Sequence, residues 1–486
     1  MSTIDEIEQL IISGQIESAK TALKKQLGRK RTPQETLKLA NFSRRLSLSE
    51  LSLKLLFATL HDPMPASPEE KCEYATSLIQ LGYYREGDEI LSQIESETYP
   101  KSLLFLAFSH IYRWDYFSAE EKLNLYLKKI GNSSEYDSFI GLTNLAACMV
   151  INSAPFTETE YMLKDLLQKI GKTTYLRLKA NLFELSAHLY IYNDRYDDAK
   201  RSLDSAESIL SDLDAAYDGF YIQKWRIILN FKKNPNSNEA IEAVGTFRAK
   251  SLAHGRWEIA RDCDLHLGIS NRNQSVLQHL YFGTPFESYR QRILRLTDGK
   301  IVIPETYNWR IQQSQPSETI LDIGTGKIEG PHVGEDLFKK SQALSLLQSL
   351  AGDFYRPLRS SSVFEKIFPG EYYDPFSTPN RIHQVVWRLK KELKARNIPL
   401  EINSEDGFQI IATTPGFGLK IGLQGDLKAD PISILKSEFK DEKFNSKQAS
   451  EVLNYSLRKT QQILKAAIEE SQFKQIGTGK NTKYHF

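Results

Sequence analysis

A short turn recurs through the first 280 residues and narrows what the chain can fold into. It follows a small-x-aromatic/polar-x-x-small pattern, as in Gly14-Gln-Ile-Glu-Ser-Ala19, Gly82-Tyr-Tyr-Arg-Glu-Gly87, Trp114-Asp-Tyr-Phe-Ser-Ala119 and Asp194-Arg-Tyr-Asp-Asp-Ala199. Gly255-Arg-Trp-Glu-Ile-Ala260 is a weaker copy, and a degenerate one lies near Leu48 to Leu53. Gly14 and Gly82 stand 68 residues apart and Gly82 and Trp114 32 apart, while Ala119 and Ala199 spread to 80. Between the turns, apolar residues return at steps of three and four, as in Leu103, Leu106, Ala107 and Ile111. That period is the mark of amphipathic helices. Helices repeated in this way bury their apolar faces only by stacking on one another.

These residues resemble the tetratricopeptide repeat, a helix pair of about 34 residues whose small residues allow close helix approach. The resemblance implies an α-solenoid over residues 1–285. Stacked helix pairs leave a concave groove, so a protein or peptide is the expected partner there.

Composition excludes several classes. The chain has 486 residues, with 41% hydrophobic and 26% charged, ordinary for a globular protein of about three domains. Three cysteines exclude a disulfide-framed secreted domain. The N-terminal MSTIDEIEQLIISG carries acids where a signal peptide needs basic residues. The longest apolar stretch, Leu142 to Ile151, has about half the length that spans a bilayer. The expectation is a cytoplasmic protein with no membrane partner. A net charge of +2 argues against nucleic acid only if it is evenly spread. Residues 335–486 hold 23 Lys/Arg and 18 Asp/Glu, leaving 40 and 43 elsewhere, so the C-terminal third is mildly basic.

Texture changes after about residue 281, where Gly and Pro rise. Residues 286–318 are expected as a connector, with strand-like pieces at Lys300-Ile-Val-Ile303 and Thr319-Ile-Leu-Asp-Ile323. A helix then runs from Leu337 to Leu350. A second runs from about Ser361 to Phe368, capped by Ser360 or Ser361 and stopped by Pro369-Gly370. A third opens at Pro379-Asn380 and reaches about Arg396. Leu400-Glu-Ile-Asn and Phe408-Gln-Ile-Ile alternate as two strands around Ser404-Glu-Asp-Gly407. On the third helix, Ile382, Val385, Val386, Leu389 and Leu393 form a buried stripe. Arg381, Gln384, Arg388 and Lys391 occupy the opposite face, with Lys390, Lys394 and Arg396 adding charge toward its end. Arg and Gln can pair with base edges, while Lys mainly contacts phosphate.

Leu344-Ser-Leu-Leu-Gln-Ser-Leu350, Val363-Phe-Glu-Lys-Ile-Phe368, Asn380 to Leu393 and Gly407-Phe-Gln-Ile410 together resemble the OmpR/PhoB-type winged-helix DNA-binding domain. The resemblance covers residues 319–425. It implies that the helix matching Asn380 to Leu393 enters the major groove of double-stranded DNA and that the hairpin forms the wing. By position, Arg381, Gln384, Arg388, Lys391 and Lys394 are the implied contacts, with His383 at the margin. Trp387 departs from a usually polar position, Thr413 to Gly418 lies beyond the usual wing, and Glu405-Asp406 would meet phosphate unfavourably.

A second unit spans 431–486. A helix from Ile432 to about Phe439 precedes one capped by Asn445 or Ser446, and Ser456 caps a long helix from Leu457 to Glu470. Two strands then flank Gly477-Thr-Gly-Lys-Asn481. The ending resembles C-terminal winged helix-turn-helix domains of bacterial regulators, which implies DNA contacts at Arg458, Lys459, Gln461, Gln462, Lys465, Lys480 and Lys483.

No catalytic, metal or cofactor site is expected. Leu321-Asp-Ile-Gly-Thr-Gly326 lacks the third glycine and the following helix of a nucleotide loop. Cys263-Asp-Leu-His266 is half a metal site without its other half, and Cys72, Cys148 and Cys263 read as buried small hydrophobes. The expected fold is therefore mainly α, an α-solenoid followed by two small winged-helix domains. The expected function is a non-enzymatic transcription regulator, with a protein-docking scaffold as the alternative. A homodimer, or both winged domains acting together, would supply the affinity that the modest positive excess leaves short.

Overall fold

The computed structural model describes residues 4–12, 15–62, 65–131, 135–211, 216–310, 319–329, 342–405, 407–412, 417–422, 435, 439, 443–453, 457–469, 474–477 and 482–485. Antiparallel helices fill the first 296 residues. They are α1 (Ile4–Ile12), α2 (Ile16–Gln26), α3 (Pro33–Arg45), α4 (Ser49–Leu60), α5 (Pro68–Gln80) and α6 (Tyr84–Ser92). Next come α7 (Lys101–Tyr112), α8 (Tyr116–Ile130), α9 (Glu135–Asn152), α10 (Phe156–Ile170), α11 (Leu176–Tyr192) and α12 (Tyr196–Leu210). The series ends with α13 (Ala216–Lys233), α14 (Asn238–Ala253), α15 (Trp257–Ser270), α16 (Gln274–Phe282) and α17 (Glu287–Leu296). Local chemistry sets their starts. Thr32 and Ser67 each form a capping box with a glutamate three residues on, and Pro33 and Pro68 follow at the first helical position.

Gly14 lies outside the described residues, and the described copies of the recurring turn share one geometry. Ser47, Gly82, Trp114, Asp194 and Gly255 all have φ between 56° and 82°, the left-handed residue that ends a helix. Five places later stand Ser52, Gly87, Ala119, Ala199 and Ala260, all buried where the next helix crosses the last. A Cβ on Gly87 would lie 2.6 Å from Ile79 Cγ1, which is why only a small residue fits. The array curls far enough for the turn between α7 and α8 to meet α15 and α17. Trp114 Nε1 donates to Glu258 Oε2 on α15 at 2.9 Å, and its ring stands edge-on to Tyr289 of α17 at 4.5 Å.

The stretch after α17 contains β1 (Thr306–Arg310), β2 (Thr319–Asp322) and β3 (Lys327–Glu329). Lys300 to Ile303 forms no strand, because side chains of α16 satisfy its backbone. Gln274 bonds the Lys300 carbonyl and the Val302 amide, and Gln278 bonds the Val302 carbonyl. Then follow α18 (Gln342–Leu350), α19 (Ser360–Ile367), α20 (Thr378–Ala395), β4 (Leu400–Asn403), β5 (Gln409–Ala412) and β6 (Phe417–Gly422). The part of the first expected helix before Gln342 lies outside the described residues. One sheet has the order β1-β6-β2-β3, with β6 antiparallel to β1 and parallel to β2. β4 and β5 form a separate hairpin. The glycine turn at 324–326 joins β2 to β3, and Asp322 Oδ1 takes up the amides of Gly324 and Thr325.

A smaller unit contains α21 (Ser446–Leu453), α22 (Leu457–Glu469), β7 (Lys474–Ile476) and β8 (Lys483–His485). Asn445 caps α21, accepting from the Lys447 and Gln448 amides. Leu435, Phe444, Ala449, Leu464 and Tyr484 are its core. Of the expected helix from Ile432 to Phe439, most residues lie outside the described set, as does Ser456. No helix among the described residues is long and apolar enough to cross a membrane.

Candidate nucleic-acid interface

The three helices α18, α19 and α20 and the β4–β5 hairpin come in the expected order and build one compact face. Ile382, Val385, Val386, Leu389 and Leu393 are buried, so α20 turns its other side to solvent. Gln384, Arg388, Lys391 and Lys394 are exposed there, and none makes an ion pair among the described residues. Trp387 sits in their midst at 62% exposure, with Lys391 Nζ 5.4 Å from its ring centre. His383 is exposed and meets the Phe408 ring edge-on at 5.5 Å. Lys390 donates to Ser404 Oγ at 3.1 Å and so braces α20 against the hairpin.

Arg381 stands apart from these. Its guanidinium donates to Glu371 Oε2 at 2.7 Å and lies over the Phe368 ring at 4.2 Å, drawn back onto the loop after α19. On the hairpin, Glu405 is exposed, and Asp406 lies outside the described residues. In the C-terminal unit Gln461, Lys465 and Lys483 are exposed. Lys480 and the side chains of Arg458, Lys459 and Gln462 lie outside the described residues.

This face is carried on the repeats by a dense contact. Ser361 and Ser362 both donate to the Leu81 carbonyl, at 2.6 and 3.0 Å. They therefore do not cap α19, and Arg359 occupies that position without a side-chain cap. Glu365 accepts the Arg85 amide at 2.8 Å, and Glu86 accepts the Tyr373 amide at 2.8 Å. Tyr83 and Arg85 both donate to the Glu371 carbonyl. Burial pushes the Glu86 carboxyl up to about 7, against the Tyr373 amide bond that favours its anion.

A second anchor lies after α18. Arg261 Nη2 donates to Asp353 Oδ1 at 2.9 Å, and Tyr355 Oη donates to Asp264 Oδ2 at 2.6 Å. Phe354 stacks on Trp309 at 4.0 Å, and its amide donates to the Gly283 carbonyl. A Cβ on Gly283 would meet Phe354 at 2.4 Å, so this close approach needs glycine. The half metal motif Cys263 to His266 belongs to this buried network, and no cluster that could hold a metal occurs among the described residues. Cys72, Cys148 and Cys263 are buried. Sequence periodicity misses these anchors because each joins residues 45 or more positions apart. The one local trace is the charged run Arg261-Asp262-Cys263-Asp264, buried in the middle of a helix.

No protein-family model and no curated protein matches this sequence. Among solved structures, the chain is similar to one titled "Crystal Structure of Rap Protein Complexed with Competence and Sporulation Factor". The TM-score is 0.43 and the identity 10%, over 61% of this chain and 88% of that one.

Proposed function

We propose that this chain is a non-enzymatic, cytoplasmic DNA-binding regulator. Its helical repeats receive a protein or peptide signal, and residues 319–425 act as a winged helix with α20 in the major groove. The observation that carries the reading is the outer face of α20, where Gln384, Arg388, Lys391 and Lys394 are exposed together without acidic partners among the described residues. Gln384 and Arg388 suit base edges, at about 1–3 kcal/mol of discrimination per good pair. Lys391 and Lys394 suit phosphate. Arg381, committed to Glu371, serves the orientation of α20 in this reading. Gln461, Lys465 and Lys483 extend the basic surface if the C-terminal unit binds as well.

Filter retention of genomic fragments across a salt series tests the reading. Retention should fall steeply with salt, and Arg388→Glu should abolish selectivity among fragments. A flat response with nothing retained would sink it.

A protein-docking role for the same face has its own support. Trp387, Tyr372 and Phe376 are 62%, 66% and 58% exposed, and exposed aromatic rings anchor protein interfaces. In that case a pull-down from nuclease-treated extract keeps its partner in Arg388→Glu and loses it in Trp387→Ala.

A further inference from the structure

An arginine-rich cleft of about 660 Å³ separates the inner wall of the repeats from the segment that leads into α19. Arg44, Arg45, Arg256, Arg356 and Arg359 line it, and Glu258 is the one acid. Glu258 is already committed, since both its oxygens accept from Arg261 Nη1 and one also accepts from Trp114. Arg44 is paired with Glu73, and Arg356 lies 3.5 Å from Asp353. Arg45, at the end of α3, and Arg359, before α19, form no ion pair among the described residues. Two uncompensated guanidiniums thus border one concave space, where an anion would relieve their repulsion and accept forked hydrogen bonds. The remaining lining includes the aromatic residues Tyr112, Tyr221 and Trp257.

From this geometry we infer that the cleft binds a phosphorylated small molecule of nucleotide size, its phosphates held between Arg45 and Arg359 and its ring against the aromatic wall. The volume lies within the range of small-molecule sites. The cleft also leads toward the candidate interface. Ser47, Ser49, Leu81 and Arg359 line both it and a neighbouring cavity of about 510 Å³, whose far side is His383 of α20 and Phe408 of the hairpin. A ligand there touches the repeats and the three-helix unit at once and stabilises their docked arrangement by linkage. The site stands independently of whether α20 reads DNA; only an effect of the ligand on DNA retention rests on the proposed function.

Calorimetry on the full chain with ATP, inorganic pyrophosphate and tetraglutamate tests the site. ATP should bind tightest and pyrophosphate more weakly. Arg45→Glu and Arg359→Glu should each lower the ATP affinity by about tenfold or more, and Arg388→Glu should leave it unchanged. Thermal melts of the variants establish that they are folded. Absence of heat with both phosphate probes at millimolar concentration overturns the proposal. So does binding that survives both cleft substitutions, or binding of tetraglutamate alone. ATP no tighter than pyrophosphate overturns the placement of a ring on the aromatic wall. A loss of DNA retention without a loss of ATP heat, or the reverse, separates this site from the α20 reading.

Discussion

Arg261 on α15 and Asp353 after α18 form an ion pair at 2.9 Å in which both side chains are fully buried. The same Asp353 oxygen accepts the Tyr355 and Arg356 amides, so the carboxylate fixes its own loop and ties it to the repeats. Two charges removed from water tolerate the loss of a partner badly. Asp353→Ala should therefore cost about 3–5 kcal/mol. Urea unfolding followed by circular dichroism checks this, and a change under 1 kcal/mol would count against the pair as an anchor.

Gly82 should not tolerate a side chain. Its φ is +82°, and a Cβ there would fall 2.2 Å from Ser362 Oγ. Gly82→Ala combines left-handed strain with a clash at the docking contact, for a loss of about 1–3 kcal/mol. Limited proteolysis should cut the variant between the repeats and α18 faster than the parent chain.

Acid should weaken the fold through its buried histidines. His266 is pushed down to about 3 and His279 to about 4, both mainly by burial, and His188 is held well below its usual value for the same reason. His188 and His266 face Lys224, Asp262 and Arg292, His266 also faces Lys232, and both ring nitrogens of His266 lack hydrogen-bond partners among the described residues. His279 faces Asp264 and Arg248. The unfolded chain binds these protons near pH 6.5 and the folded chain does not. Stability is thus full above about 6.5 and falls as pH drops, by up to ~1.4 kcal/mol per unit for each histidine. The urea midpoint at pH 5 should lie below that at pH 7, and His266→Gln should flatten the slope.

Glu86 pulls the other way. With its carboxyl raised to about 7, the folded chain holds a proton that the unfolded chain releases near 4.5, so its contribution is lost as pH rises between the two. Arg85, Glu89 and Glu365 face it, and the Tyr373 amide donates to it. Glu86→Gln keeps an acceptor for Tyr373 and removes the buried charge. The variant should gain roughly 1–3 kcal/mol at pH 8 and nothing at pH 4.5, measured by urea unfolding at both.

The helical half was legible because its turns repeat a local demand, a left-handed residue and then a small one five places on. Ala119, Ala199 and Ala260 mark that demand in sequence and are fully buried in the fold. The stripe of α20 was legible for the same reason, since its period is 3.6 residues. Pairings across long separations were not. β1 lies where a connector is expected, and nothing around Tyr307 or Trp309 signals a partner more than 100 residues later. Ser361 reads as a helix cap because its hydroxyl could serve one, but the Leu81 carbonyl takes it. Arg381 reads as a surface cation until Glu371 and Phe368 are placed beside it.

The position of β6 in its sheet bears on how the chain comes off the ribosome. β6 lies between β1 and β2, and among the described residues no ladder joins those two to each other. The repeats are complete by Leu296, and domains generally fold as units during synthesis. The two early strands must then wait, unpaired, until Phe417 to Gly422 emerges. Through that interval Trp309 and Leu321, buried in the finished sheet, lack their central neighbour. Nascent chains that stall or terminate before Phe417 therefore carry open strand edges beside finished repeats, a ready mark for chaperones and proteases.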